Sequence, residues 1–307
     1  MKKILLTLLI SIFIMSNIWA EPAPILGSTT VFWEIKNNNT LCITGTGDMP
    51  DIVDFIIQPW GASRYSITHL EIAEEITSIG GYAFADFSSL TGTLVISDNV
   101  KTIDKHAFYG CTDLESIVLG SGLEKIGDGA FIGCTGLKGI FYIPDKVKSI
   151  GAYAFQRCAN LEYISIGSAV ETIGNYAFRD CESLKTIKVL PITPPVVNEN
   201  AFDGDPAWVP NCKLYVPSGS EEAYKTATGW SLFAQRTYTD VTSATVSDIK
   251  VSVENGTIII TGVTQPQVSV FDMQGRLIFS GTTNHIEIPQ AGVYIVKVGS
   301  ETVKVVK

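Results

Sequence analysis

Apolar positions in the middle of the chain recur in one fixed order. Ala-Phe pairs stand at Ala83-Phe84, Ala107-Phe108, Ala130-Phe131, Ala154-Phe155, Ala177-Phe178 and Ala201-Phe202, so the phenylalanines are spaced 24, 23, 24, 23 and 24 residues apart. An isoleucine precedes the first five pairs (Ile79, Ile103, Ile126, Ile150, Ile173), and a leucine follows them (Leu90, Leu114, Leu137, Leu161, Leu184). Next comes an alternating apolar pair: Leu94/Ile96, Ile117/Leu119, Phe141/Ile143, Ile164/Ile166 and Ile187/Val189, with Leu70/Ile72 in the same phase one unit earlier. Six units in phase cannot arise by chance.

A unit this short cannot bury its own apolar face, so neighbours must stack and share one core. The alternating pair predicts a short strand with one side in the core and the other in solvent. Successive strands align into a parallel sheet with rungs about 4.8 Å apart. The Ile-Gly-x-x-Ala-Phe segment turns the chain on the opposite side, with Gly80, Gly127, Gly151 and Gly174 expected to supply backbone freedom, although Asp104 replaces Gly in one unit. The predicted fold is therefore mainly β: a solenoid of five to six 23–24-residue units over 67–217, followed by a small β-sandwich.

The pattern Ile-Gly-x-x-Ala-Phe-x-x-Cys-x-x-Leu-x-x-Ile resembles the BspA-like class of bacterial leucine-rich repeats, over residues 67–217. That resemblance implies a secreted or cell-surface protein used in adhesion and host-protein binding, without fixing a ligand.

An open end of a solenoid exposes apolar surface and needs a cap. Residues 21–66 read as the N-terminal cap, with a hairpin from Val31–Ile35 through Asn37-Asn38-Asn39 to Leu41 and Ile43. Leu214-Tyr215-Val216-Pro217 reads as the last strand. Residues 218–236 read as the C-terminal cap, with one helix from Ser218 to Phe233 that packs Tyr224, Trp230 and Phe233 inward. The Thr- and Ser-rich stretch 237–247 has no apolar periodicity and reads as a linker.

Residues 248–307 carry only short strand patterns, with Asn255-Gly256 as a hairpin signal, and predict the small β-sandwich. The segments 271–277 and 291–298, with Lys304-Val305-Val306-Lys307, resemble the C-terminal sorting domain of the Bacteroidetes type IX secretion system. That resemblance implies a partner in the secretion machinery through 248–307 and placement outside the outer membrane; an ordinary Ig-like adhesive domain is the alternative. At the other end, Lys2-Lys3, the apolar run Ile4–Met15 and Ala20 predict a signal peptide over 1–20, with no membrane insertion after its cleavage.

Composition narrows the chemistry. With 22 Lys and Arg against 31 Asp and Glu, the net charge is −9, which disfavours nucleic acid as a partner. The acidity belongs to the solenoid side, since 248–307 holds five basic and five acidic residues. Cys111, Cys134, Cys158 and Cys181 share one repeat phase with Phe87 and are expected to stack as buried, reduced thiols, because Cβ atoms ~4.8 Å apart fall outside disulfide reach. Cys42 and Cys212 lie at opposite ends of the solenoid. His69, His106 and His285 belong to separate places. Asp48, Asp51, Asp54 and Asp203-Gly204-Asp205 read either as loose calcium ligands or, preferably, as turn residues. No catalytic motif is present, so no enzymatic activity, metal or cofactor is expected.

The informative surface is then the outward side of the strands. It presents Thr93 and Val95, Ser116 and Val118, Ile140 and Tyr142, Tyr163 and Ser165, and Thr186 and Lys188. Val118, Ile140, Tyr142, Tyr163 and Lys188 form the candidate protein-binding face, with a protein or surface macromolecule as partner. A structural cell-envelope component without a specific host ligand is the alternative.

Overall fold

A computed structural model describes residues 23–25, 27–36, 39–52, 59–197, 200–202, 211–239, 250–254, 257–261, 268–272, 277–281, 283, 285–288, 293–298 and 301–306. The expected signal peptide, the stretch 240–247, Asp54 and Asp203-Gly204-Asp205 lie outside the described residues.

The repeats build a β-solenoid with two strand-bearing sides. On one side, Gly47–Asp48, Ile76–Ile79, Thr102–Ile103, Lys125–Ile126, Ser149–Ile150, Thr172–Ile173 and Val196–Val197 stack in chain order as a seven-stranded parallel sheet. Its register keeps the repeat isoleucines aligned, with Ile103, Ile126, Ile150 and Ile173 each paired with the next. On the other side, Gly92–Val95 pairs with Leu114–Val118. Gly139–Tyr142, Leu161–Ile166, Thr186–Val189, Lys213–Val216 and Thr237–Thr239 continue as a five-stranded parallel sheet. At the N-terminal end the predicted hairpin forms from Val31–Lys36 and Thr40–Gly45, and His69–Ile72 pairs in parallel with its second strand.

Between these sides runs an aromatic column. Phe84, Phe108, Phe131, Phe155, Phe178 and Phe202 stack with ring centroids 5.3–5.6 Å apart and interplanar angles of 26° or less. Each unit places its phenylalanine on the one before, and all six are buried. Trp60 closes the N-terminal end, stacked on Phe84 at 5.8 Å, with its indole N–H donating to the Ala83 carbonyl. Trp230 and Phe233 close the other end against Phe202, and the Trp230 indole donates to the Pro195 carbonyl. Tryptophan suits an end position because its N–H satisfies a carbonyl while its ring covers an apolar one.

The four in-phase cysteines are buried and reduced, as expected, and they have a second job. Each Sγ–H donates to the carbonyl of the phenylalanine one unit earlier: Cys111 to Phe84, Cys134 to Phe108, Cys158 to Phe131 and Cys181 to Phe155, at 3.0–3.3 Å. A small side chain with a weak donor fits a site that is both tight and carbonyl-lined.

The turn chemistry differs from the expectation. Gly80, Gly127, Gly151 and Gly174 do not adopt positive φ. They permit close approach instead: a Cβ on Gly80 would run into the Pro50 carbonyl, and one on Gly151 into the backbone of Asp128. Left-handed backbone falls two and six residues after that glycine position, on Tyr82 and Asp86, His106 and Gly110, Gly129 and Gly133, Tyr153 and Arg157, and Tyr176 and Asp180. Amides there bond to the neighbouring unit, as Tyr82 to Lys105 and Tyr153 to Asn175, which holds the left-handed residues in place.

Two further expectations are corrected. The C-terminal cap is not one helix: Glu221–Thr226 is α-helical and Trp230–Arg236 is a 3-10 helix, separated at Gly229, whose φ is 75°. Tyr224, Trp230 and Phe233 do point inward. Residues 237–239 are not linker but the last strand of the five-stranded sheet, paired with Lys213–Val216. A strand that draws its hydrogen bonds from an existing sheet edge does not need its own apolar pattern.

The C-terminal module has two antiparallel sheets. Lys250–Glu254, Thr257–Thr261 and His285–Glu287 form one, and Leu277–Gly281, Val268–Asp272, Val293–Val298 and Glu301–Val306 form the other. Ile258, Ile260, Val268, Val270, Ile286 and Val296 share its core.

Phe131→Ala is expected to cost about 3–5 kcal/mol through the cavity it leaves. Gly151→Ala is expected to cost about 1–3 kcal/mol through overpacking. Arg157→Gly, at an exposed left-handed position, should change stability by less than about 1 kcal/mol. Urea unfolding midpoints of the three variants check this order.

Candidate functional site

The outward side chains of the repeat sheet fall into two rows, because parallel strands in register bring equivalent positions side by side. One row runs Thr93, Ser116, then Ile140, Tyr163, Thr186 and Lys213. The other runs Val95, Val118, then Tyr142, Ser165, Lys188, Tyr215 and Tyr238. The ladder is interrupted between Leu114–Val118 and Gly139–Tyr142, where Gly139 takes φ +70°.

The structure brings three of the five predicted residues, Ile140, Tyr163 and Lys188, to one open stretch, with Tyr142 at its edge. Ile140 is 40% exposed and pairs across the strand with Tyr163. The rings of Tyr142 and Tyr163 stand 6.5 Å apart, and Lys188 lies one strand further on, beside Ser165. Tyr215 and Tyr238, absent from the predicted set, extend this face with ring centroids 5.6 Å apart. Tyr215 was visible as strand sequence; Tyr238 was hidden in the stretch read as linker.

Val118 and Tyr142 are the exceptions, and Val118 is the more deeply covered of the two. Val118 points outward as predicted, yet it is only 2% exposed. Phe271 and Ile295 of the C-terminal module cover it, and Val95 packs against the same cluster. Next to this contact, the Lys297 Nζ sits 4.1 Å over the Tyr142 ring. Burying aliphatic and aromatic groups of this size is worth about 1.5–3 kcal/mol each. Lys297 works against that gain, because burial penalises its ammonium and pulls its pKa down to about 7. The negative face of the Tyr142 ring opposes the penalty by favouring the charged form. Burial also pushes the Tyr142 phenol above its usual range.

A groove of about 400 Å³ lies beside this contact, lined by Lys36, Cys42, Glu71, Val95 and Ile295 among others. Cys42 Sγ lies 3.3 Å from a Glu71 oxygen that also meets Lys36 at 3.4 Å. Burial pushes the Cys42 thiol up to about 11 against the pull of Lys36, so it is protonated at neutral pH.

The remaining candidate groups stay apart. His69 is exposed beside Thr68, and His285 is exposed in the module. His106 stacks on Tyr82 with centroids 4.8 Å apart, and burial lowers its pKa. Asp48 accepts from Thr77, and Asp51 from the Gly81 amide, so both tie one unit to the next. Among the described residues, no group of three or more His, Cys, Asp or Glu is placed to hold a metal ion. Among them, no helix is long and apolar enough to cross a membrane.

Residues 62–185 match the family model of the BspA type leucine rich repeat region, in six copies. No curated protein matches the chain significantly. Among solved structures, a leucine-rich repeat protein from Bacteroides ovatus is similar at 28% identity, over 61% of this chain and 54% of that one, with TM-score 0.45. The T. pallidum leucine rich repeat protein TpLRR is similar at 24% identity, over 56% and 72%, with TM-score 0.40. The pneumococcal vaccine antigen PcpA is similar at 24% identity, over 56% and 40%, with TM-score 0.44. The chain thus spans about half of the Bacteroides ovatus protein and less than half of PcpA.

The thiols generate a pH prediction. Burial raises Cys111 and Cys158 and pushes Cys181 up to about 12. A thiol raised in the folded state contributes its stability in full below its unfolded value of about 8.5. That contribution is lost as pH climbs through the folded value. Unfolding free energy should therefore fall between about pH 9 and the folded value of about 12. Cys181→Ala should flatten the fall, and urea midpoints at neutral and alkaline pH check it.

Proposed function

We propose that this chain is a secreted or cell-surface binding protein. It holds a protein or other surface macromolecule against the outer face of its repeat sheet, in adhesion or host-protein interaction. The observation that carries this reading is the surface formed by Ile140, Tyr163, Lys188, Tyr215 and Tyr238. There, aromatic and aliphatic side chains stand on adjacent strands of a rigid parallel sheet. Aromatic anchors fixed by a scaffold lose little conformational freedom on binding, which is why such residues dominate interface energetics.

The BspA type repeats over 62–185 support this reading. In it, residues 1–20 direct export. Residues 248–307 act as a sorting module for a type IX secretion machinery of a Bacteroidetes envelope, which the segments 271–277 and 291–298 support by resemblance. The protein then works through recognition alone, without catalysis or a cofactor.

The exported chain, immobilised, is expected to retain host extracellular-matrix protein. Ile140→Ser combined with Tyr163→Ala should lower retention at least tenfold, about 1.4 kcal/mol, with an unchanged melting midpoint. Retention of envelope fractions and of no matrix component would replace this reading with a structural envelope role.

A further inference from the structure

We propose that the surface formed by Val95, Val118 and Tyr142 is a docking site for the chain's own C-terminal β-module, which covers the N-terminal part of one row of the repeat face in cis. The proposal rests on the reading of that face as a binding surface, and extends it: part of the surface is closed until the module leaves.

The strand Val293–Val298 carries the argument. Its residues alternate between two faces. Tyr294, Val296 and Val298 belong to the module's own core, whereas Ile295 and Lys297 lie on the opposite face. A sheet of a small sandwich with one face in solvent would carry polar residues there. Here Ile295 and Phe271, from the neighbouring strand Val268–Asp272, are 9% and 5% exposed, and Lys297 is 7% exposed. What buries Ile295 and Phe271 is Val118, with Val95 beside it, and these are outward residues of the solenoid. The Lys297 ammonium lies on the Tyr142 ring, which gives the seat a direction as well as an area.

The seat is small, with three buried apolar side chains and one long cation. Contacts of that size between domains permit relative motion. A cover of this kind is released more readily than a core is broken. It occupies the row Val95, Val118 and Tyr142, and leaves Ile140 open. A partner that spans both rows competes with the module.

The six native cysteines are buried, so a thiol introduced at the seat stands out in labelling. Val118→Cys in the full chain should react with a maleimide at least tenfold more slowly than Ile140→Cys. Adding Ile295→Ser, on the face away from the module's core, should bring the two rates together. Adding Tyr142→Ala instead, on the solenoid side, should accelerate labelling at position 118 in the same sense. Rapid labelling of Val118→Cys with the module intact would overturn the proposal. So would continued protection after both Ile295→Ser and Tyr142→Ala. Retention of matrix protein by the Ile295→Ser chain is a separate readout: a gain shows that the module closes a binding face. Protection at 118 without retention by any variant keeps the docking site and overturns only the binding reading.

Discussion

Ring-on-ring stacking of one phenylalanine per unit is the constraint on which this structure depends. A 23- or 24-residue unit has no interior of its own. Its Phe ring becomes buried only when the next unit supplies another ring, and the last units need a different residue to stop the column. Trp60 and Trp230 meet that need at the two ends, each combining an apolar face with an N–H directed at a backbone carbonyl. The column also dictates the rest of the unit. Units stacked with rings 5.3–5.6 Å apart bring backbones close together, and a Cβ would meet the Pro50 carbonyl at Gly80 and the backbone of Asp128 at Gly151, although the Phe108 unit keeps the same ring spacing with Asp104 in that place. The carbonyls of Phe84, Phe108, Phe131 and Phe155 each take a donor small enough to fit beside the ring, which is cysteine. Side chains as large as Tyr153 and Arg157 sit in left-handed backbone because hydrogen bonds to the next unit hold them there.

Much of this was legible in the residues. Spacing of the Ala-Phe pairs located every unit, and the alternating apolar pairs located one strand-bearing side. The other side, where Ile79, Ile103, Ile126, Ile150 and Ile173 lie in a seven-stranded sheet, read only as a turn, because strands mostly two residues long are too short to show a period. Identical positions repeated six times leave little ambiguity about what is inside. The role of the glycines was not legible in the same way, because a sequence does not distinguish a glycine needed for φ from one needed for approach. Thr237–Thr239 escaped for another reason: its order comes from a neighbouring strand's backbone, which leaves no trace in side-chain pattern.

The candidate face was legible up to its cover. Assigning outward positions to solvent is sound within a repeat, but a second module can alter it. A clue was present in Val293-Tyr294-Ile295-Val296-Lys297-Val298, a strand whose second face carries Val293 and Ile295 beside Lys297, which a two-layer sandwich alone does not explain. Its other face found Val118 and Tyr142. The solenoid and the module are therefore linked by the same requirement that links the repeats to one another: an apolar face needs a neighbour.

Amide hydrogen exchange on the Trp230→Ala chain tests the stacked-column account most directly. If each ring is held by the next, protection should be lost mainly in the unit around Phe202 and Phe178 and recover progressively toward Phe84. Loss spread evenly from Phe84 to Phe202, or no loss at all, would contradict it.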